Sequence, residues 1–217
     1  MTSAQLISWV VSAITFGTVI MFGCIGETIN QKAGNLNLGV PGIMQLGGIG
    51  ALTGAFIYES STATPNGTIG MLCALLCAIL ASALGSLIYS FLTVTLKANQ
   101  NVTGLTLTIF GTGIANFFGG SLMKLSGGVG SISVATTANV FKLRLPFISG
   151  KLGLFGSLFL NYGWMAYFCL ILAFVANYFL TKTRTGLNLR AVGENPATAD
   201  AAGINVTKYK YLASIIG

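Results

Sequence analysis

The sequence predicts an all-α, polytopic transmembrane protein, and three observations carry that prediction. Of its 217 residues 53% are hydrophobic and only 7% are charged, whereas a water-facing domain carries about 25% charged residues. Mean hydropathy is +0.80. No Asp, Glu, Lys or Arg falls in 1–26, 33–58, 60–96, 98–123 or 152–181, and each window exceeds the roughly 20 apolar residues that cross a bilayer. Backbone inside lipid has to satisfy its own polar groups, which helices do.

The first span is expected at 6–25. It lacks a basic n-region and a small-residue cleavage pattern, so it reads as a retained span and not as a signal peptide. The second, at 39–58, is rich in glycine and carries Pro41, which makes it the candidate for a broken or re-entrant helix of the kind found near transport sites. Its Gly50 and Gly54 form a GxxxG pair, expected to pack within the chain. The third span, at 68–96, places Cys73 and Cys77 on one helix face. With Cys24 and Cys169 also in apolar windows, and no His in the chain, the cysteines read as small packing residues and not as a metal site or disulfides. The fourth span, at 102–120, again carries many glycines, and the fifth is expected at 162–180. A sixth begins near Tyr211 and reaches the end of the sequence, so 1–217 reads as a single, C-terminally incomplete transmembrane domain.

Orientation follows from the positive-inside rule. The segment 181–210 holds Lys182, Arg184, Arg190, Lys208 and Lys210 and is expected in the cytoplasm. Alternation then puts Lys97 and Lys32 inside, the 59–67 loop outside and the N-terminus outside. Seven Lys and Arg residues lie inside against four (Lys124, Lys142, Arg144, Lys151) outside. The expected extracellular loop 121–161 is long enough to be functional. It contains Gly127–Gly130, the basic run Lys142–Pro146 and the apolar run 152–160, and reads equally as a structural lid or as a docking surface for an external partner. The net charge of +7 is scattered over loops without a basic cluster, which argues against nucleic-acid binding.

Within 181–210, Asn195 is a favoured N-cap and Pro196 suits the first helical position. Ala197–Ala202 are mostly good helix formers, and Gly203 can take the left-handed conformation that ends a helix. A two-turn helix at 196–202 is unstable alone in water. It reads either as an amphipathic connector or as a docking peg for a soluble subunit, with the small Ala199 and Ala202 permitting close approach and the apolar Ile204 just beyond.

The run GLNLRAVGENPATADAAGINV (186–206), with Gly193, Glu194, Asn195 and Pro196 at its centre, resembles the cytoplasmic coupling segment of permease subunits in the branched-chain amino acid/sugar/nucleoside class of ABC importers. The run 26–51 is similar to that family's N-terminal signature, with Gly26, Glu27, Gly34, Asn37, Gly39, Gly42, Met44, Gly47 and Gly48 in its positions. Both segments look nearest to nucleoside and simple-sugar permeases that work with basic-membrane-protein-type lipoproteins. The stretch from Glu27 to Asn37 is longer than the family pattern, and the family's remaining C-terminal spans do not follow. The resemblance implies a multi-pass protein of the bacterial plasma (inner) membrane forming half of a pathway for a nucleoside or simple sugar. It also implies a second permease subunit, ATPase subunits on the coupling segment, and an extracellular solute-binding lipoprotein.

The residues agree with this by omission. No G-x-x-x-x-G-K-[ST] phosphate loop occurs, so ATP and Mg are expected on a partner and no cofactor on this chain. No nucleophile–base pair or metal cluster is apparent, and the chain is not expected to be an enzyme. Glu27 at a membrane edge is expected to pair with Lys32. Polar groups in spans are pathway candidates: Gln45 and Asn116 foremost, with Phe110 and Phe117 as stacking partners. Thr53, Thr106 and Thr108 are better explained by bonds to their own helix backbone. A secondary transporter needs an ionisable group inside the membrane for coupling, and all four acidic residues lie at span edges or in loops. A passive channel or scaffold is separated from an importer by whether an ATPase co-purifies.

Overall fold

The computed structural model describes residues 3–125, 132, 134–141 and 162–217. Five helices are long and apolar enough to cross a membrane: the Ile7–Lys32 part of α1 (Ser3–Lys32), α2 (Val40–Ser61), α3 (Gly67–Ser90) extended by a π-helical turn Phe91–Thr95, α4 (Gln100–Leu125), and α6 (Trp164–Lys182). The short α5 (Ala135–Phe141) lies between α4 and α6. After α6 come α7 (Arg184–Glu194), α8 (Pro196–Ala201) and α9 (Val206–Ile216).

The five expected spans are therefore present, most with C-terminal ends a few residues further out. A 22-residue helix rises about 33 Å, enough for the roughly 30 Å hydrocarbon layer. The expected irregularity in the second span is not there: α2 is continuous from Val40, because Pro41 sits at the start of the helix, where its missing N–H removes no bond. The irregular backbone lies just before it, at 33–39, and at the end of α3. The helix expected near Tyr211 begins at Val206, with the Asn205 side chain capping Lys208 N at 2.9 Å, so Lys208 and Lys210 are on a helix and not in a loop.

The expected 121–161 loop also needs correction where it is described. Residues 121–125 complete α4, and α5 packs on α3. Glu59 accepts from Thr137 N at 2.7 Å, a carboxylate at the first turn of α5, and Trp164 donates to Val140 O at 3.2 Å. The Gly127–Gly130 stretch, the Lys142–Pro146 run and the apolar 152–160 run lie outside the described residues.

Two glycine-lined seams hold the spans together. Gly50 and Gly54 face α3, where an added Cβ would lie 2.7 Å from Ala81 Cβ and 2.7 Å from Cys77 Sγ respectively. The GxxxG pair thus packs inside the chain, and Cys77 is its small packing partner. Gly42 lies on α4, with Leu107 O 2.5 Å and Thr108 Cα 2.6 Å from a built Cβ, and Gly111 returns the contact onto the Gly42 backbone. Here backbone meets backbone and no side chain can yield. Gly111→Ala is expected to lose about 1–3 kcal/mol of stability through overpacking, read as reduced monodisperse recovery in detergent. Gly113→Ala, with nothing within 4 Å, is expected to behave as wild type.

A second unit forms where α1, α6, α7 and α9 meet. Ile29, Ala33, Leu180, Leu189 and Ala213 are its buried core, with Ala176, Phe179 and Tyr209 against it. The α6–α7 corner is tight because Gly186 lies directly on the Phe179 carbonyl, and Thr183 caps α7 by accepting from Gly186 N at 3.1 Å. Asn188 donates to the Tyr209 hydroxyl at 3.0 Å.

Candidate functional site

The turn 33–39, inside the segment that resembles a permease signature, is the meeting point of six helices. Asn30, Asn35, Asn37 and Ser214 are each 5% exposed or less, and buried polar groups are costly unless bonded. The Asn35 amide donates to Asn30 Oδ1 (3.3 Å), to the Lys210 carbonyl (3.2 Å) and to Ser214 Oγ (3.2 Å). Ser214 in turn donates to Asn30 Oδ1 at 3.0 Å. One amide thereby ties the end of α1 to α9.

Four backbone groups of the turn are met by side chains from other helices. Leu36 N donates to Gln100 Oε1 of α4 (2.7 Å), and Leu36 O accepts from the Tyr89 hydroxyl of α3 (2.7 Å). Asn37 N donates to Glu27 Oε1 of α1 (3.2 Å), and Leu38 O accepts from Thr108 of α4 (3.0 Å). The Asn37 side chain caps Gly39 N at 2.9 Å, leading into α2. Glu27 therefore holds the turn and does not pair with Lys32. The reason is geometric: the chain folds back at Gly34, in the left-handed region at φ +76, and delivers a backbone donor to the carboxylate.

The coupling-like segment reaches this same turn. Gly193, on the last turn of α7, has its Cα side against the Lys32 carbonyl, with Gly34 N 2.9 Å from a built Cβ. The two segments that carry the family resemblance are thus in backbone contact. Beyond it, Asn195 caps α8 by accepting from Ala197 N (3.1 Å) and Thr198 N (3.2 Å). Gly203, at φ +80, closes it: Ile204 N donates to Ala199 O (3.0 Å) and Gly203 N to Asp200 O (2.9 Å), the Schellman pattern. The short helix is held as its isolated instability demands, by α7 and α9.

Its two alanines part company. Ala199 is 4% exposed and turned inward onto the chain itself, whereas Ala202 is exposed with Ala197, Thr198 and Asp200. Ala199 is therefore a packing residue and not part of a surface open to a partner. Glu194 is exposed and lies 3.9 Å from Arg190.

The expected pathway residues do not converge. Gln45 lines an open groove of about 540 Å³ with Val19, Pro41 and Ala115, and Asn116, Phe110 and Phe117 are not in its lining. Phe110 and Phe117 are 51% and 70% exposed, and Phe117 packs edge-on against Phe118 at 5.5 Å. Thr53 and Thr106 bond back to Ile49 O and Val102 O, and Thr108 to Gly104 O as well as to Leu38 O. A second cavity of about 400 Å³ opens below the turn between α1, α2, α3 and α9, lined by Glu27, Asn30, Asn37, Ser82, Ser86 and Ser214. Spacing alone missed this polar lining, because its members come from three helices and the turn. Gly47 lines the same cavity, Met44 borders both, and Gly26 packs on the backbone of Gly217.

Comparison with known proteins places these segments. The chain is 33% identical over 212 residues to a Haloferax volcanii protein whose name assigns it as the glucose ABC transporter permease TsgC13, covering 95% of this chain and 57% of that one. It is 28% identical over 208 residues to the nucleoside ABC transporter permease NupC of Lactococcus lactis, with 95% and 62% covered. It is 27% identical over 218 residues to the guanosine ABC transporter permease NupQ of Bacillus subtilis, with 100% and 65% covered. The chain thus spans about three fifths of the length of these curated relatives. No solved structure matches it. Residues 9–217 match the family described as the branched-chain amino acid transport system / permease component, and with both segments and five membrane-length helices in place, the chain belongs to that family.

Proposed function

We propose that this chain is part of the permease subunit of an ATP-driven importer, contributing to half of a translocation pathway for a nucleoside or simple sugar. The observation that carries the reading is the backbone contact between Gly193 and the 33–39 turn. The exposed face of α8 is a surface for an ATPase subunit. A push on α8 passes through α7 to Gly34, and from there along the bonds of Asn35, Leu36, Asn37 and Leu38 to α9, α3, α4 and α1. Hydrolysis then resides on that partner, with ATP and Mg, while a second permease subunit completes the pathway and an external lipoprotein supplies solute. In this reading 181–210 lies in the cytoplasm and the N-terminus outside. Glucose, nucleoside and guanosine in the names of relatives support the solute class.

The test is co-purification of the full-length protein with its ATPase, using exposed α8 positions that leave the hub intact. Asp200→Lys combined with Ala202→Trp is expected to reduce recovered ATPase at least about tenfold, equivalent to about 1.4 kcal/mol of binding. An unchanged yield of ATPase, or no ATPase with wild type, would sink the importer reading and leave a passive channel or secondary transporter as the alternative.

A further inference from the structure

We infer that the crevice between α1 and α6 at their Lys-bearing ends binds the phosphodiester headgroup of an anionic membrane phospholipid. The crevice holds about 440 Å³ and is lined by Lys32 and Arg190, with Thr28, Asn177 and Thr181 beside them. Lys32 is the last residue of α1, and α6 ends at Lys182 on the same side of the bundle. Arg190 approaches from α7, the helix that folds back beneath both spans.

Charge and depth together select the occupant. Lys32 and Arg190 bring two positive charges, and no carboxylate pairs with Lys32 among the described residues. Arg190 pairs with Glu194, whose Oε1 is 3.9 Å away and whose side chain is 77% exposed; Glu194 does not line the crevice. The crevice therefore keeps one uncompensated positive charge, which a singly charged phosphodiester neutralises and a zwitterionic headgroup does not. Thr28 and Thr181 direct their hydroxyl protons to Cys24 O and Asn177 O, leaving the Asn177 amide to donate to a ligand.

Deeper in, the lining turns apolar. Ile25 and Ala173 border the same crevice, and Ile25 is seven residues above Lys32 on α1, a rise of about 10 Å. A charged edge passing into an apolar wall over that distance matches a lipid, with headgroup at the interface and acyl chain along the span. Basic pockets between transmembrane helices hold anionic headgroups by this division of labour. A free phosphate uses the cations but not the apolar wall.

The test measures lipid retention directly and does not require transport. Full-length protein is reconstituted in vesicles of phosphatidylglycerol mixed with phosphatidylcholine, extracted, and weighed by native mass spectrometry. Wild type is expected to retain phosphatidylglycerol over phosphatidylcholine. Lys32→Ala with Arg190→Ala is expected to lower that retention about tenfold, while Lys32→Arg with Arg190→Lys keeps it, and all remain monodisperse. Equal retention by the alanine variant overturns the site, as does a wild type that retains neither lipid because protein fills the crevice. Competition by inorganic phosphate as effective as that by phosphatidylglycerol overturns the lipid assignment in favour of a free anion.

Discussion

Gly193→Ala is expected to separate the coupling-like segment from the membrane helices. The added methyl falls on the Lys32 carbonyl and 2.9 Å from Gly34 N, both backbone atoms, so relief requires moving a whole helix. Overpacking of this kind is worth about 1–3 kcal/mol, set against a gain of up to about 1 kcal/mol in helix propensity. The position of α7 is further fixed by Gly186 and Leu189 against α6. We therefore expect a lower melting temperature in detergent and, in the complex proposed above, ATPase activity that no longer responds to solute. Gly48→Ala, where nothing lies within 4 Å of the new methyl, is the comparator. Equal stability and solute response in the two variants would show that the Gly193–Gly34 contact transmits nothing.

Asn35→Asp is expected to damage the protein at least as much as Asn35→Ala, although aspartate has nearly the shape of asparagine. The three bonds of the side chain run from its amide nitrogen to Asn30 Oδ1, Lys210 O and Ser214 Oγ. A carboxylate has no proton to give these three acceptors, in a site where residue 35 is only 1% exposed. Alanine removes the same donor, at about 1–3 kcal/mol for a buried group left unsatisfied, while Asn30 Oδ1 keeps its bond from Ser214. Both variants should weaken the α1–α9 connection, leaving the direct Ser214–Asn30 bond, seen as faster hydrogen exchange in 206–216. Wild-type exchange in Asn35→Asp would mean that the amide is not the donor that joins the two helices.

Much of the local structure was legible from short stretches of sequence. The Asn195-Pro196 start and Gly203 stop of α8 were readable because a cap involves neighbours a few residues away. The helix α7 was not singled out, since TRTGLNLRAVGE reads as a polar connector. Its signal was present in Thr183 as a cap and in Gly186, Leu189 and Val192 recurring every three residues, the positions that are buried. Expecting a break in α2 gave Pro41 and the glycines too much weight as breakers. In that helix Pro41 starts the first turn, while Gly42, Gly50 and Gly54 serve close packing.

The sequence by itself determined that this protein lives in a membrane as a bundle of helices, and where each span lies. Those properties are sums over neighbouring residues: a charge-free window is favourable in lipid whatever it later touches. The tertiary structure alone decided that Glu27 bonds the Asn37 backbone and not Lys32. It alone decided that Ala199 faces inward, and that the signature turn and the coupling-like segment share a backbone contact. Asn35 and Lys210 are 175 residues apart in the chain, and no periodicity or cap joins residues so distant. Their pairing exists because close helix packing brings a buried amide to the acceptors it must satisfy.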